Sequence, residues 1–238
     1  MSERAVTPSA PARRPRRRAS RGSGEQLRAE IVAATKDLLA GGASAESVSI
    51  RAVADAVGVT SPSIYLHFAD KDALIEAVVA DVFSALDTAM LAAAAENDKP
   101  LDRLCAFGLA YVQFALDHPE HYRIATMDPC PQPVDEVDEV LRSSSFVHFM
   151  QTVVDCMDAG VFAAGDPLPV TFQLWAAAHG IASLVIAKPY LPWGDIEAFA
   201  DRGLCAAALG QATGDLLGGE PTPDLVTAWL AEQKAARS

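Results

Sequence analysis

Apolar residues recur along this chain at spacings of three and four, which is the pattern of amphipathic helices. The first such stripe begins near residue 23 and consists of Leu27, Ile31, Ala34 and Leu38. Two consecutive glycines, at positions 41 and 42, follow it and predict its end. A helix is therefore predicted from about residue 23 to residue 40.

The same spacing predicts two short helices, at 50–57 and from about 60 to 68, and a long helix at 71–95. Prolines separate the apolar runs that follow, and the helices predicted there are 101–116, 119–126, 137–159, 168–188, 196–216 and 223–235. Alternating strand patterns are missing, so the predicted fold is all-α. We divide the chain into a disordered basic arm (1–22), an N-terminal domain of short helices (23–70), a connecting helix (71–95) and a larger C-terminal helical domain (96–238).

Composition and charge refine this picture. With 238 residues, half of them hydrophobic, the chain is long enough to bury a sizeable core, which excludes disorder throughout. The net charge of −12 is unevenly distributed, because the first 71 residues carry 11 basic and 7 acidic side chains while the remainder carries 8 and 24. A basic head on an acidic body suits a protein whose N-terminal part meets phosphates. A basic tail on an ordinary acidic protein is the alternative that charge alone leaves open.

Several classes of site and location are disfavoured by the sequence. The four cysteines, Cys105, Cys130, Cys156 and Cys205, form no CxxC pair and predict buried thiols in a reducing compartment. No metal site and no cofactor are predicted. The apolar stretch 170–188 is at the lower limit for crossing a bilayer and contains polar residues, so we predict no membrane span. The lack of a secretory signal predicts a cytoplasmic protein.

The stretch from Ser49 to Phe68 has the spacing of a helix-turn-helix. Ser49 offers a hydroxyl cap to the first helix, small Ala54 permits a close crossing, and Gly58 provides the turn. The apolar residues predicted to lock the two helices together are Val53, Val57, Val59 and Ile64. This arrangement leaves the outer face of residues 61–67 available for the major groove of DNA.

Residues 48–74, VSIRAVADAVGVTSPSIYLHFADKDAL, resemble the N-terminal domain of TetR-type transcriptional regulators over their whole length. The portion from Ile64 to Leu74, I-Y-x-H-F-x-x-K-x-x-L, is the most specific part. The resemblance implies a homodimer that binds double-stranded DNA at a palindromic operator. It also implies DNA contacts by Arg51, Ser61, Pro62, Ser63, Tyr65, His67 and Lys71. Ser49 and Thr60, which flank the two short helices, complete our predicted DNA-binding set.

Side-chain chemistry agrees with these roles. The hydroxyls of Ser63 and Tyr65 can donate to phosphate oxygens, and His67 can donate a ring N–H. Lys71 adds positive charge at a helix N-terminus that already suits anions, and Arg51 can reach a phosphate or a guanine edge. We assign neighbouring Phe68 to the core instead.

The C-terminal part resembles the Trp-His-Gly subgroup of the same family through Asp117-His-Pro-x-x-Tyr-Arg123 and through Trp175-x-x-x-His179-Gly180. This resemblance implies a helical domain that binds a small-molecule effector and dimerises, but it carries no common ligand. Because ligand cavities are mostly apolar with a few polar anchors, aromatic and sulfur-bearing residues are the candidates for its lining. The candidate ligand-binding residues are Phe107, Tyr111, Phe114, Met127, Phe146, Phe149, Met150, Trp175 and His179. A core role is the alternative for each, and His148 is a further candidate polar anchor.

The sequence therefore predicts a transcriptional regulator, most simply a repressor that a small apolar or amphipathic ligand releases from its operator, with helix 71–95 as the lever. The family resemblance implies a dimer interface built from helices 137–159 and 168–188, and a stripe of small residues in the second helix, which includes Ala176 and Gly180, supports this location. One alternative is a helix-turn-helix protein that acts through a protein partner. Another is an enzyme with an unrecognised site, although the GxSxG, HExxH, GxGxxG and P-loop motifs are absent. We predict that the protein is not an enzyme.

Overall fold

A computed structural model describes residues 23–41, 47–126, 144–217 and 221–236, and within these ranges the fold is all-helical. The helices are α1 (Ser23–Ala40), α2 (Ile50–Val57), α3 (Ser61–Tyr65), α4 (Lys71–Ala95), α5 (Pro100–Asp117), α6 (Pro119–Thr126), α7 (Ser144–Asp158), α8 (Pro167–Ala187), α9 (Ile196–Ala212) and α10 (Pro223–Ala235). A short 3-10 turn, Asp215–Leu217, follows α9 where the sequence predicted four more helical residues. The predicted arm 1–22 and the first part of the predicted helix 137–159 lie outside the described residues.

Short polar side chains and prolines fix where the helices begin. The Ser49 hydroxyl accepts a hydrogen bond from the Ala52 N–H at 3.2 Å, and the Asp70 carboxylate accepts one from the Ala73 N–H at 2.8 Å. Proline occupies the first turn of α3, α5, α8 and α10, where a missing N–H costs no helical hydrogen bond. These local signals explain why the helix starts were readable from the sequence.

The described helices enclose two hydrophobic cores. The N-terminal core joins α1, α2, α3 and the first half of α4, and includes Ile31, Leu39, Val53, Ile64, Phe68, Leu74 and Val78. The C-terminal core joins the second half of α4 with α5, α7, α8 and α9, and includes Leu86, Met90, Phe107, Val112, Val153, Leu174 and Leu204. Helix α4 therefore contributes to both cores, as expected for a connecting helix.

Helix α6 also takes part in both cores, although it has only eight residues. Tyr122 is buried in the C-terminal core, and Ile124 is buried in the N-terminal core. The helix packs against α1, α4 and α5. It therefore makes a second connection between the two halves of the molecule, one that the sequence did not reveal.

Two helices, α4 and α8, are long and apolar enough to cross a membrane by length and composition alone. Core helices of globular proteins pass the same test, and both helices bury residues in the cores described above. Part of α8 is nevertheless apolar and exposed, with Phe172 40% and Leu184 56% accessible.

The cysteines divide by location. Cys156 is fully buried as predicted, and desolvation raises the pKa of its thiol to about 11. Cys105 is half-buried, and burial raises its thiol pKa to about 12. The prediction of a buried thiol is wrong for Cys205 of α9, which is exposed. Cys130 lies outside the described residues.

Candidate DNA-binding surface and ligand cavity

Helices α2 and α3 form the predicted helix-turn-helix. Val53 and Ile64 are completely buried, and Ala54 is nearly so, which confirms that these residues join the two helices. Gly58 ends α2 in the left-handed conformation, with φ of 80°, and its N–H donates to the Ala54 carbonyl at 2.9 Å. A residue with a side chain adopts this φ only at a cost, so the glycine has a steric reason for its position.

The predicted contact residues are exposed or half-buried, and none of them belongs to the N-terminal core. Arg51, Pro62 and Tyr65 are exposed, and Ser61 and Ser63 are half-buried at the start of α3. Tyr65 is 54% accessible although Ile64 beside it is fully buried. The outer face of α3 therefore presents hydroxyl groups to the solvent, and Arg51 of α2 adds an exposed guanidinium; both are groups that bind phosphate oxygens and base edges.

The hydroxyls of Ser49 and Thr60, the residues before α2 and α3, make different contacts. Ser49 caps α2 as predicted, and its hydroxyl hydrogen is still free to donate elsewhere. Thr60 is the residue before α3, but its side chain accepts no hydrogen bond from the helix. Its hydroxyl instead lies 2.9 Å from that of Ser63. The two hydroxyls form a pair at the N-terminal end of α3, a position where helices bind anions.

His67 and Lys71 lie at the turn between α3 and α4, and both are half-buried. A side-chain carbon placed on Gly24 would lie 3.9 Å from the His67 ring, so His67 is close to the start of α1. Phe68 is buried as predicted, and the Arg28 guanidinium stacks over its ring at 4.9 Å. One residue of this surface was missed by the sequence analysis: Leu66 is 84% accessible between Tyr65 and His67.

A cavity of about 160 Å³ lies in the C-terminal half, between α4, α5, α6, α7 and α8. The described residues that line it are Phe83, Leu86, Met90, Phe107, Gly108, Tyr111, Ala125, Thr126, Ser145, Phe146, Phe149, Trp175 and Ala178. The rings of Phe107 and Phe149 stack with centroids 5.5 Å apart, and Phe146 meets Trp175 edge to face at 6.2 Å. The cavity is thus an apolar and mainly aromatic pocket.

Five of the nine predicted ligand-binding residues meet at this cavity: Phe107, Tyr111, Phe146, Phe149 and Trp175. Phe114, Met150 and His179 do not line it, and Met127 lies outside the described residues. Phe114 packs on the His118 ring instead, at the end of α5. Helix α4 also lines the cavity, through Phe83, Leu86 and Met90, none of which was among the predicted residues.

His179 lies behind the cavity wall, in a chain of polar side chains. Its Nδ1 atom is 2.6 Å from the Tyr122 hydroxyl and 3.3 Å from the Tyr111 hydroxyl. The two hydroxyls are 3.0 Å apart, and the Trp175 indole N–H donates to the Tyr111 oxygen at 3.2 Å. Burial lowers the pKa of His179 and raises the pKa values of Tyr111 and Tyr122. These three groups are therefore neutral at neutral pH, as the Trp175 indole is. We name Trp175, Tyr111, Tyr122 and His179 the polar chain.

The second candidate polar anchor, His148, is paired with a buried carboxylate. Its Nδ1 atom lies 2.9 and 3.1 Å from the two carboxylate oxygens of Asp87 on α4. Asp87 is only 7% accessible, so this contact satisfies a group that would be costly to bury alone. The pair joins α7 to α4 and does not line the cavity.

A larger opening of about 510 Å³ lies between α1 and α4, in the N-terminal half. Its described lining includes the charged residues Glu25, Arg28, Lys36 and Asp81, and Lys36 forms an ion pair with Asp81. A charged and open groove is less suited to an apolar molecule than the aromatic cavity is. Among the residues described, no cluster of three or more His, Cys, Asp or Glu side chains could hold a metal ion.

Comparison with known sequence families gives two matches. A family described as "Bacterial regulatory proteins, tetR family" matches residues 31–78, which contain the helix-turn-helix. A family described as "Tetracyclin repressor-like, C-terminal domain" matches residues 104–230, more than half of the chain. Neither description names the Trp-His-Gly subgroup, so that assignment stays a prediction. No curated protein sequence matches the chain significantly.

Solved structures share the fold over most of the chain. A protein of unknown function from Rhodococcus sp. RHA1 is 25% identical with a TM-score of 0.67, over 78% of this chain and 95% of that one. The TetR family regulator PfmR from Thermus thermophilus is 17% identical with a TM-score of 0.54, over 75% and 97%. A TetR family regulator from Marinobacter aquaeolei is 18% identical with a TM-score of 0.59, over 79% and 98%. At these identities the last two similarities concern the fold alone.

Proposed function

The chain belongs to the TetR family of bacterial regulators, and we propose that it is a homodimeric repressor that a small ligand releases from a palindromic operator. The observation that carries this proposal is the outer face of α3. Tyr65 is exposed there while its neighbour Ile64 is fully buried, and Arg51 of α2 is exposed as well. We place the regulator in the bacterial cytoplasm, where it can reach chromosomal DNA.

In this proposal α3 enters the major groove. The Tyr65 hydroxyl and the one hydroxyl of the Thr60–Ser63 pair that does not donate within the pair donate to phosphates, and Arg51 reaches a phosphate or a guanine. Leu66 adds an apolar group that can contact a thymine methyl. Lys71 contributes positive charge at the N-terminus of α4.

A symmetric dimer supplies two such faces, and we place its interface on α8 and α9. A side-chain carbon added at Gly203 of α9 would approach the Ile181 side chain of α8 to 2.9 Å, so the two helices pack closely. Their outer sides expose Phe172, Leu184 and Leu209, the last at 63%. A soluble protein rarely leaves such an apolar surface uncovered, and a second copy would cover it.

This location differs from the sequence prediction, which paired α7 with α8. The exposed residues of α7 are Ser144, Val147, Gln151 and Asp158, of which Val147 alone is a large apolar residue. The outer sides of α8 and α9 are therefore the more apolar pair. We retain α8 from the sequence prediction and replace α7 by α9.

The proposed release of DNA depends on α4 and α6, which reach both cores. Leu86 and Met90 of α4 line the cavity, while Leu74 and Val78 of the same helix belong to the core under the helix-turn-helix. Ala125 and Thr126 of α6 line the cavity beside Ile124, which packs in that same N-terminal core. A ligand that binds more tightly to one arrangement of these helices shifts the separation of the two α3 helices.

Selection of bound duplexes from a random DNA pool tests this proposal. We expect an enriched sequence with two inverted half-sites, because a two-fold dimer presents the same surface twice. The Tyr65→Ala variant should enrich no sequence, whereas Tyr190→Ala should behave like the unchanged protein, since Tyr190 is fully exposed on the loop after α8. Enrichment of no sequence by the unchanged protein would contradict the proposal, and a helix-turn-helix that acts through a protein partner would replace it.

A further inference from the structure

The size of the cavity limits what it can hold. Ligand pockets for drug-sized molecules measure roughly 300–1,000 Å³, and an apolar cavity of about 150 Å³ holds a molecule such as benzene. The cavity described here, at about 160 Å³, therefore matches one ring with one or two small substituents.

The walls of the cavity favour a flat and uncharged guest. Phenylalanine and tryptophan side chains dominate the described lining, and aromatic rings attract one another in stacked and edge-to-face arrangements. None of the described lining residues carries a charge. Asp87 follows the lining residue Leu86 in the sequence, but its buried carboxylate is already paired with His148. An ionised ligand would lose its hydration without gaining a counter-charge, which is strongly unfavourable.

The polar chain determines which hydrogen-bonding group the cavity accepts. The distance of 2.6 Å between Tyr122 and His179 is typical of a hydroxyl donor and shorter than that of an N–H donor. Tyr122 therefore donates to His179, and Tyr111 in turn donates to the Tyr122 oxygen. The indole N–H of Trp175 can only donate, and it donates to the Tyr111 oxygen. The hydroxyl hydrogens of Tyr111 and Tyr122 and the indole hydrogen of Trp175 are therefore all used within the chain.

Tyr111 lines the cavity, and its oxygen keeps one unused lone pair in this arrangement. The Thr126 hydroxyl behaves in the same way, because its hydrogen is donated to the Tyr122 carbonyl at 2.7 Å. These two lining groups accept hydrogen bonds from a guest and do not donate to it. A guest with a hydroxyl donor fits them, whereas a guest with only an acceptor leaves its own oxygen unsatisfied.

We infer that the cavity binds a neutral molecule with one aromatic ring and one hydrogen-bond donor, the class of simple phenols, with the donor directed at the Tyr111 oxygen. This inference rests on the proposed function, since it names the effector that would occupy the ligand site. It also assigns Tyr111 the role of distinguishing donors from acceptors. The remainder of the polar chain, Trp175, Tyr122 and His179, orients the Tyr111 hydroxyl.

Calorimetric titration of the full chain with phenol, toluene, anisole and benzoate tests the inference at neutral pH. We expect phenol and toluene to bind, anisole to bind no more tightly than toluene, and benzoate not to bind. The key measurement is the ratio of the phenol and toluene dissociation constants. Tyr111→Phe should shift this ratio against phenol by about fivefold, the effect of one hydrogen bond of ordinary net strength, whereas Tyr190→Phe should leave it unchanged.

A second variant identifies the binding site independently of Tyr111. Ala178 lines the cavity, so Ala178→Leu should fill it and abolish binding of both phenol and toluene. Ala92→Leu places the same side chain on an exposed face of α4 and should have no effect. Tightest binding by benzoate, binding that survives Ala178→Leu, or no binding of phenol at millimolar concentration would each overturn the inference. DNA binding is measured on the same preparations. Normal DNA binding without phenol binding would contradict the ligand inference alone, whereas loss of DNA binding in the unchanged protein would contradict the proposed function.

Discussion

Tyr122 and Ile124 lie two residues apart on α6, yet they are buried in different hydrophobic cores. The Tyr122 hydroxyl reaches His179 of α8, and Ile124 packs with residues of the core beneath the helix-turn-helix. Because the two contacts lie within one turn of the same helix, we expect a shift of α6 at the cavity to reach the DNA-binding half.

The first prediction concerns this connection. Tyr122→Phe removes the hydroxyl that links α6 to His179 but keeps the ring, so operator affinity without ligand should stay within about twofold. The ligand should lose most of its ability to weaken DNA binding, because the cavity and α6 are no longer joined by the polar chain. Fluorescence anisotropy of a labelled operator, titrated with and without phenol, measures both quantities. An unchanged response to ligand would exclude the polar chain from the coupling.

The second prediction concerns pH. Burial lowers the pKa of His179 below its usual value of 6.5, so the unfolded chain takes up a proton more readily than the folded protein does. The contribution of neutral His179 to stability is fully present above a pH of about 6.5 and decreases as the pH falls below that value. His179→Gln should therefore show a smaller loss of unfolding free energy between neutral pH and pH 5 than the unchanged protein. Urea denaturation at several pH values measures this difference, with His118→Gln as the control. Equal losses in His179→Gln and the unchanged protein would contradict it.

The third prediction concerns the turn of the helix-turn-helix. Gly58 has φ of 80°, where a side chain costs about 1–2 kcal/mol. Gly58→Ala should lower the free energy of unfolding by about 1 kcal/mol, because a smaller gain from the stiffer unfolded chain partly offsets that cost. Gly165 lacks a positive φ and has open space around it, so Gly165→Ala should change stability by no more than about 0.5 kcal/mol. Similar losses of unfolding free energy in both variants would show that the positive φ of Gly58 is not the cause of the loss in Gly58→Ala.

The fourth prediction concerns the dimer. Gly180 faces open space within the protomer, since an added side-chain carbon there would meet no atom within 4 Å. Gly180→Leu should therefore fold normally but hold two α8 helices apart, and Leu184→Glu should place a charge in the same interface. Both variants should sediment as monomers at concentrations where the unchanged protein is dimeric. Val147→Glu on α7 is the matched control and should remain dimeric. If this variant is monomeric while the two α8 variants stay dimeric, the interface includes α7, as the sequence predicted.

Much of the helix-turn-helix could be predicted from the sequence because its determinants are local. Ser49, Gly58 and Asp70 cap or end helices through contacts within four residues of themselves. The DNA-contacting roles of Arg51 and Tyr65 came from the family resemblance, and they stay predictions that the exposure of both residues supports.

The cavity was less predictable because it depends on how distant helices meet. Aromatic content identified Phe107 and Trp175, but it also selected Phe114, which packs elsewhere. The contribution of α4 had a readable signal, since Leu86 and Met90 continue the four-residue spacing from Val82. The position of His179 behind the wall had no such signal, because it depends on hydroxyls 57 and 68 residues away in the chain.

Hydroxyl-radical footprinting of the selected operator tests the central claim most directly. If a dimer inserts two α3 helices into successive major grooves, two protected regions should lie about one helical turn or a multiple of it apart, symmetric about a dyad. The protection should disappear in the Tyr65→Ala, Lys71→Ala double variant. Circular dichroism is the control and should show that this variant is folded. A footprint without a dyad, or one that the double variant leaves unchanged, would contradict the assignment of this surface to DNA.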